Sequence, residues 1–312
     1  MLPAVNKQAR YLLIKCLFLG LLFPTQSLRA FDLAEIKQSG VLRHIAMPNA
    51  NFVTYYNDNG ENRAGGLDVE LIQGFATHIG VKYEFVIAQR GTALDLLTGQ
   101  QASFVDGQVA LGNSVAIQGD LVATGLTVLK WREQFVDYST AYFPSAVWLV
   151  ARVDSVLKPV IPSGDIHIDI AMVKSKLKGH SVLTMENTAL DPYLYGLFST
   201  GANIIVPKKD LKFNELIPAI VHKEAESTLL DLADTMIALD KWPGEVKVIG
   251  PISAEQTMAV AFRKSSPELK KVFNLYIKSI IKDGTYQRFI QQYYPIVLHY
   301  YGDFFSLLEE SH

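Results

Sequence analysis

The sequence predicts an α/β fold built as two interleaved lobes. Three observations carry this. Strand-like runs alternate with amphipathic helix-like runs along both halves of the chain, the grammar of largely parallel sheets with crossover helices. The 312 residues suffice for about two domains. No repeat, low-complexity stretch or linker separates the halves, which suits lobes joined by strands better than domains on a tether.

Residues 1–30 read as a cleavable export signal. Lys7, Arg10 and Lys15 form a positive start, 16–23 (CLFLGLLF) a short apolar core, and the small residue Ala30 follows the helix-breaking Pro24. The apolar run is too short for a spanning helix, and an uncleaved anchor is the alternative. Cleavage after Ala30 would remove four positive charges and no negative ones, taking the formal charge from −2 to −6 and leaving 282 of 312 residues. It would also remove Cys16, the only cysteine. A chain without thiols cannot mispair in an oxidising compartment, and the periplasm is the expected location.

The elements run in order. Residues 41–47 (VLRHIAM) read as a strand, and 54–60 as a strand end and turn, since Asn-Asp-Asn-Gly favours positive φ. Leu71, Ile72, Phe75, Ala76 and Ile79 fall on one face of a helix over 67–79. A strand at 82–88 and a short helix at 92–98 come next. Residues 100–118 hold several glycines and alternating apolar residues without helical period; they read as an insertion of about 17 residues whose structure stays open. Strands are expected at 120–123 and 146–153. The second half repeats the pattern, with strands at 181–185, 203–206, 227–230, 246–249 and 257–262 and helices at 187–197, 212–222 and 232–239. The clearest helix is 267–281, where Leu269, Val272, Phe273, Tyr276, Ile277, Ile280 and Ile281 keep helical spacing. Ser265 and Glu268 suggest its capping box, and Gly284 its stop.

Signatures of catalysis are missing. The histidines show no metal spacing, and there is neither a Walker loop nor GxGxxG. GNSVA at 112–116 misses the GxSxG elbow by its last glycine. No metal or cofactor is expected, and the chain does not read as an enzyme. Lys+Arg 29 against Asp+Glu 31 gives no reason to expect a nucleic-acid partner.

One constellation points to binding: GLTVLKWR at 125–132, then FVDYS at 135–139 and Ala141-Tyr142. A Thr at a strand end offers a hydroxyl and a backbone N–H. An Arg five residues on can return to the same point with a fixed fork of donors. Together Thr127 and Arg132 suit a carboxylate, which accepts bidentately from guanidinium.

These motifs, with SGVLR at 39–43, NDNG at 57–60, GGLDVEL at 65–71 and KDGTYQRFIQQYY at 282–294, resemble family 3 of the bacterial periplasmic solute-binding proteins, the amino-acid-binding type. The likeness runs over 33–295. Within it, GLTV, Thr-Leu-x-Asp at 228–231 and Glu255-Gln256 are similar to the binding domain of membrane-bound lytic transglycosylase F. The 17 residues after Pro295 are too few for that enzyme's lysozyme-like domain, and Glu310-Ser311-His312 reads as coincidence or remnant.

The resemblance implies a two-lobe class II periplasmic-binding-protein fold with two hinge strands. Lobe 1 would hold 31–144 and 253–295, lobe 2 would hold 145–252, and 296–312 would be a C-terminal tail. It implies that Arg132 clamps a ligand carboxylate, that Thr127 donates to it, and that the Gly125 carbonyl accepts from an ammonium. Asn187 and Thr188 would open a lobe-2 helix whose free N–H groups complete the carboxylate site. Asp231 would pair with the ammonium, and Tyr55 and Phe52 would form an aromatic wall. Plainer readings stand beside these: a structural ion pair for Arg132, an ordinary strand residue for Thr127, helix caps for Asp231 and Thr188, core for Tyr55. Leu129 replaces the family's second Thr, Lys130-Trp131 its common Pro-Glu, and Lys223–Glu226 its Gly-x-x-Asp.

The expected function is capture of an amino acid or related small polar ligand by hinge closure, serving import by a monomer and an inner-membrane permease of ABC type. The alternatives are a sensor or regulatory module tied to murein metabolism, and a degenerate lobe pair without ligand.

Overall fold

The computed structural model describes residues 32–58, 61–207 and 211–310, so the export signal read at 1–30 and half of the 57–60 turn lie outside the described residues. From the N-terminus come α1 (Leu33–Ser39), β1 (Val41–Ala46), β2 (Thr54–Asp58), β3 (Glu61–Gly65), α2 (Leu67–Ile79), β4 (Lys82–Ile87), α3 (Ala93–Thr98), β5 (Gln100–Val105), β6 (Gln108–Ser114), β7 (Leu121–Val122) and β8 (Val136–Tyr138). Next are β9 (Phe143–Ser145), β10 (Val147–Arg152), α4 (Ile166–Ser175), β11 (Ser181–Leu183), β12 (Asn203–Ile205), α5 (Leu216–Val221), β13 (Ser227–Asp231), α6 (Leu232–Lys241) and β14 (Val246–Pro251). The chain closes with β15 (Gln256–Met258), β16 (Ala261–Arg263), α7 (Pro267–Lys282), α8 (Thr285–Tyr293), α9 (Pro295–Tyr300) and α10 (Gly302–Glu310).

Two five-stranded sheets organise these elements, in the orders β4-β1-β7-β16-β8 and β12-β11-β13-β10-β14. Both are mixed. β1 runs parallel to β4 and β7, while β16 is antiparallel to its neighbours; β11 runs parallel to β12 and β13, while β10 is antiparallel to β13 and β14. A late strand therefore inserts into the sheet built by the early chain. The passages between the sheets are β9 and β15, paired antiparallel. The expected single strand at 257–262 is thus two strands, β15 and β16, in different sheets. The break falls where Ala259 N–H donates to the Leu126 carbonyl and Val260 N–H to the Ser139 hydroxyl.

Each sheet has its own core. In the first, α2 buries Leu71, Ile72, Phe75 and Ala76 completely or nearly so, and α7 buries Leu269, Phe273 and Ile277. Each large side chain moved out of water in this way contributes roughly 1.5–3 kcal/mol. The second core centres on Val147, Leu149, Leu183 and Leu229. The segment expected as a tail forms α9 and α10, and Val297, Phe305 and Leu308 join the first core.

Several local readings differ. The expected Ser265–Glu268 box does not form; Ser266 precedes α7, and the carboxylate of Asp32 accepts from Glu268 N–H at 3.2 Å and Leu269 N–H at 2.8 Å. Residues 187–197 are not an α-helix. Asn187 sits at φ 61°, and the chain beyond it forms two 3₁₀ turns, Pro192–Tyr195 and Leu197–Thr200, parted by Gly196. The 100–118 segment forms the β5–β6 hairpin. Its two-residue turn, Asp106-Gly107, has φ 51° and 76°, the mirror-image geometry that matches strand twist. No described helix is long and apolar enough to cross a membrane.

Candidate functional site

Residues from the loops beside both sheets, and the end of β13, line one cavity; Asn49, Thr124, Gly125, Thr127, Trp131 and Arg132 come from the first side, Asn187, Thr188, Ala189 and Asp231 from the second. β7 leads into the loop that carries 124–132. Gly125 takes φ 60° there, and its N–H donates to Asp68 Oδ2 at 2.6 Å. Asp68 Oδ1 accepts from the Tyr142 hydroxyl at 2.8 Å, so α2 and the crossing region hold the loop together. The Gly125 carbonyl accepts no hydrogen bond from the described residues.

Arg132 is buried, with 6% of its surface exposed. Its two terminal nitrogens donate to the carbonyls of Thr127 (3.1 Å) and Asn187 (3.2 Å), the second lying across the cavity. Its Nε has no partner, and no carboxylate pairs with it among the described residues. Burial pushes its pKa down, partly offset by Tyr138, Tyr195 and Asp191 nearby. The Trp131 ring lies 5.3 Å from the guanidinium carbon, and the Trp131 Nε1 is also without a partner. Thr127 is buried, and its hydroxyl makes no hydrogen bond among the described residues.

Asp231 ends β13 and caps α6, accepting from Asp234 N–H at 2.9 Å. It also lines the cavity, so cap and site coincide. Burial raises its pKa to about 6. Thr188 behaves as a turn residue: its hydroxyl donates to the Met185 carbonyl and accepts from Leu190 N–H. The backbone N–H groups of Thr188 and Ala189 have no acceptor among the described residues, although no helix begins there. Asn187 is wired inward instead. Its N–H donates to Asp191 Oδ2 at 2.9 Å, and its Oδ1 accepts from Phe104 N–H at 2.6 Å.

Of the expected aromatic wall, Phe52 is missing, and Tyr55 stands in an adjoining cavity. Phe52 is fully buried in the first core, with ring centroids 5.0 Å from Phe143 and 4.8 Å from Tyr294. It lies beneath Gly125 rather than against the cavity. Tyr55 stacks on Phe85 at 5.5 Å and lines a neighbouring cavity. Trp131 and the β5–β6 hairpin supply the aromatic surface. Phe104 stacks on Trp131 at 5.6 Å, and Asp106 accepts from the Tyr193 hydroxyl on the far side. The Asp-Gly dipeptide between alternating apolar residues was the available signal for this hairpin.

A family model for bacterial extracellular solute-binding proteins, family 3, matches residues 103–296, more than half of the chain. The chain belongs to this family. Among curated relatives of this family 3 protein, it is 26% identical over 267 residues to membrane-bound lytic murein transglycosylase F of Desulfosudis oleivorans, covering 85% of this chain and 51% of that one. The chain thus spans about half the length of that relative. It is 25% identical over 247 residues to the amino-acid-binding protein AabA of Dichelobacter nodosus, covering 78% of this chain and 83% of that one. Among solved structures, a mutant of ArgBP from T. maritima superposes with a TM-score of 0.66 at 20% identity, covering 84% of this chain and 99% of that one. The fold is the two-lobed class II periplasmic-binding-protein type.

The buried carboxyl of Asp68 carries a pH dependence. Burial raises its pKa from 3.8 to about 7. Because the folded pKa lies above the unfolded one, its stabilising contribution is full below about pH 4 and is lost as pH rises through about 7. His44, lowered to about 4 by burial, works the opposite way. The comparison is therefore between variants at each pH. Asp68→Asn should gain on the wild type as pH rises from about 4 to about 8, by up to about 4 kcal/mol. Calorimetric melting curves read this; parallel profiles would count against a proton on Asp68.

Proposed function

We propose that this family 3 protein captures an amino acid or related small polar ligand between its lobes and presents the closed form to an inner-membrane permease for ABC-type import. Lobe 1 comprises 31–144 and 253–295, lobe 2 comprises 145–252, and β9 and β15 serve as the hinge strands. The observation that carries this reading is the Arg132 guanidinium, buried without a carboxylate and with Nε unpartnered. A buried cation of this kind costs free energy unless an anion meets it. A ligand carboxylate supplies that anion, with the Thr127 hydroxyl and the Thr188 and Ala189 N–H groups as further donors. The Gly125 carbonyl and Asp231 face the ligand ammonium. AabA, named an amino-acid-binding protein, supports the ligand class.

Closure arises from differential contacts. A ligand touching both lobes stabilises the form in which they meet. The β5–β6 hairpin already reaches the second lobe through Phe104–Asn187 and Asp106–Tyr193. A thermal-shift screen against the free amino acids, followed by mass spectrometry of co-purified ligand, tests the reading. At least one amino acid should raise the melting temperature in a saturable way, while muropeptides should not. A response to muropeptides alone would favour a sensor of cell-wall fragments, the reading that the transglycosylase F likeness supports.

A further inference from the structure

A second cavity adjoins the first. Asn49 and Phe213 line both, so the two are chambers of one cleft. Their walls differ in which hydrogen-bonding atoms lack partners. In the first chamber, the unpartnered buried atoms include the donors Arg132 Nε and Trp131 Nε1. In the second, they are acceptors: Asn49 Oδ1, at the junction, and Asp234 Oδ2. The Asn49 amide orientation is fixed by its Nδ2, which donates to the Thr124 carbonyl at 2.8 Å.

Asp234 is 9% exposed and sits in the first turn of α6. The helix N-terminus favours a negative charge there, yet burial and the neighbouring Asp231 carboxylate push its carboxyl well above the usual range. Lys241 acts on it electrostatically but makes no ion pair with it. Lys241 and Lys212 are exposed, at the rim. A buried acceptor left unpaired costs about 1–3 kcal/mol, more when charged. Tyr55 and Trp242 add ring surface to the same chamber.

We propose that the second chamber takes the cationic far end, ammonium or guanidinium, of an elongated amino acid whose carboxylate lies against Arg132, with Asp234 Oδ2 and Asn49 Oδ1 as its acceptors. This rests on the ligand class proposed above. Donors on the ligand then meet acceptors in one chamber, and its anion meets donors in the other.

The test is calorimetric titration of the full mature chain with L-lysine, L-arginine, L-norleucine and L-glutamine. The wild type should bind lysine or arginine about tenfold or more tighter than the two neutral amino acids. Asp234→Asn should lose that preference while binding norleucine within about threefold of the wild type. The wild-type comparison stands even where the variant fails to fold. Equal affinities for all four, or binding of the neutral pair alone, would overturn the second-chamber assignment and leave the amino-acid reading intact. An Asp234→Asn protein that keeps the preference would overturn it too. Binding of none of the four by the wild type would overturn the second-chamber assignment, while the amino-acid reading falls only if the full screen finds no amino acid that stabilises the protein.

Discussion

Arg132→Ala should abolish stabilisation by whichever amino acid the screen identifies. Removing one member of a buried, hydrogen-bonded charge pair costs roughly 2–5 kcal/mol, about 30-fold to several thousand-fold in Kd. The effect should be confined to the liganded state. In the protein alone, Arg132 loses two hydrogen bonds to carbonyls on substitution, but the cost of its burial without a counter-ion is also removed. The two act in opposite directions, so the melting temperature without ligand should move by only about 2 °C. Arg132→Lys should not restore binding, because an ammonium cannot reproduce the planar fork. Unchanged ligand stabilisation in the alanine variant would sink the site assignment. A large loss of melting temperature without ligand would instead favour a structural role.

Gly125→Ala should be the most damaging single-methyl change in the cleft. Its φ of 60° costs a residue with a Cβ about 1–2 kcal/mol. The added atom would stand 2.4 Å from Phe52 Cδ2 and 2.9 Å from Asn49 Nδ2. Phe52 cannot yield easily, since Phe143 and Tyr294 hold its ring. Overpacking adds about 1–3 kcal/mol, so the melting temperature should drop by roughly 10 °C. Binding should weaken as well, because the same loop carries Thr127 and Arg132. Phe52→Leu in the alanine background should recover part of the loss, a non-additivity expected of residues in contact. A drop below about 2 °C would mean the loop moves away from Phe52 at little cost.

Much of the fold was legible in the sequence because it rests on local pattern. The apolar faces of α2 and α7 are written at helical spacing, and both pack as that spacing requires. What failed were contacts between residues far apart in sequence. Asp32 reaches across more than two hundred positions to cap α7, and no window around 265–268 contains it. Phe52 and Tyr55 lie three residues apart, yet one enters the core and the other a chamber wall. That choice is made by Phe143, Tyr294 and Phe85, which arrive from elsewhere. At the site, residue types in GLTVLKWR indicated a carboxylate binder, and Gly125, Thr127, Arg132, Asn187, Thr188 and Asp231 do line one cavity. The second chamber was not legible, because the demand at Asp234 comes from its burial rather than from its neighbours in sequence.

The chain has three tryptophans. Trp131 lines the first chamber, Trp242 lines the second, and Trp148 lies on β10, just beyond the crossing strand β9. Indole emission responds to water access and nearby charge. A ligand seated at Arg132 changes both around Trp131, and one extending to Asp234 changes them around Trp242. The protein thus carries its own fluorescent reporters, one in each compartment, and selective Trp→Phe replacement separates their signals without any attached dye.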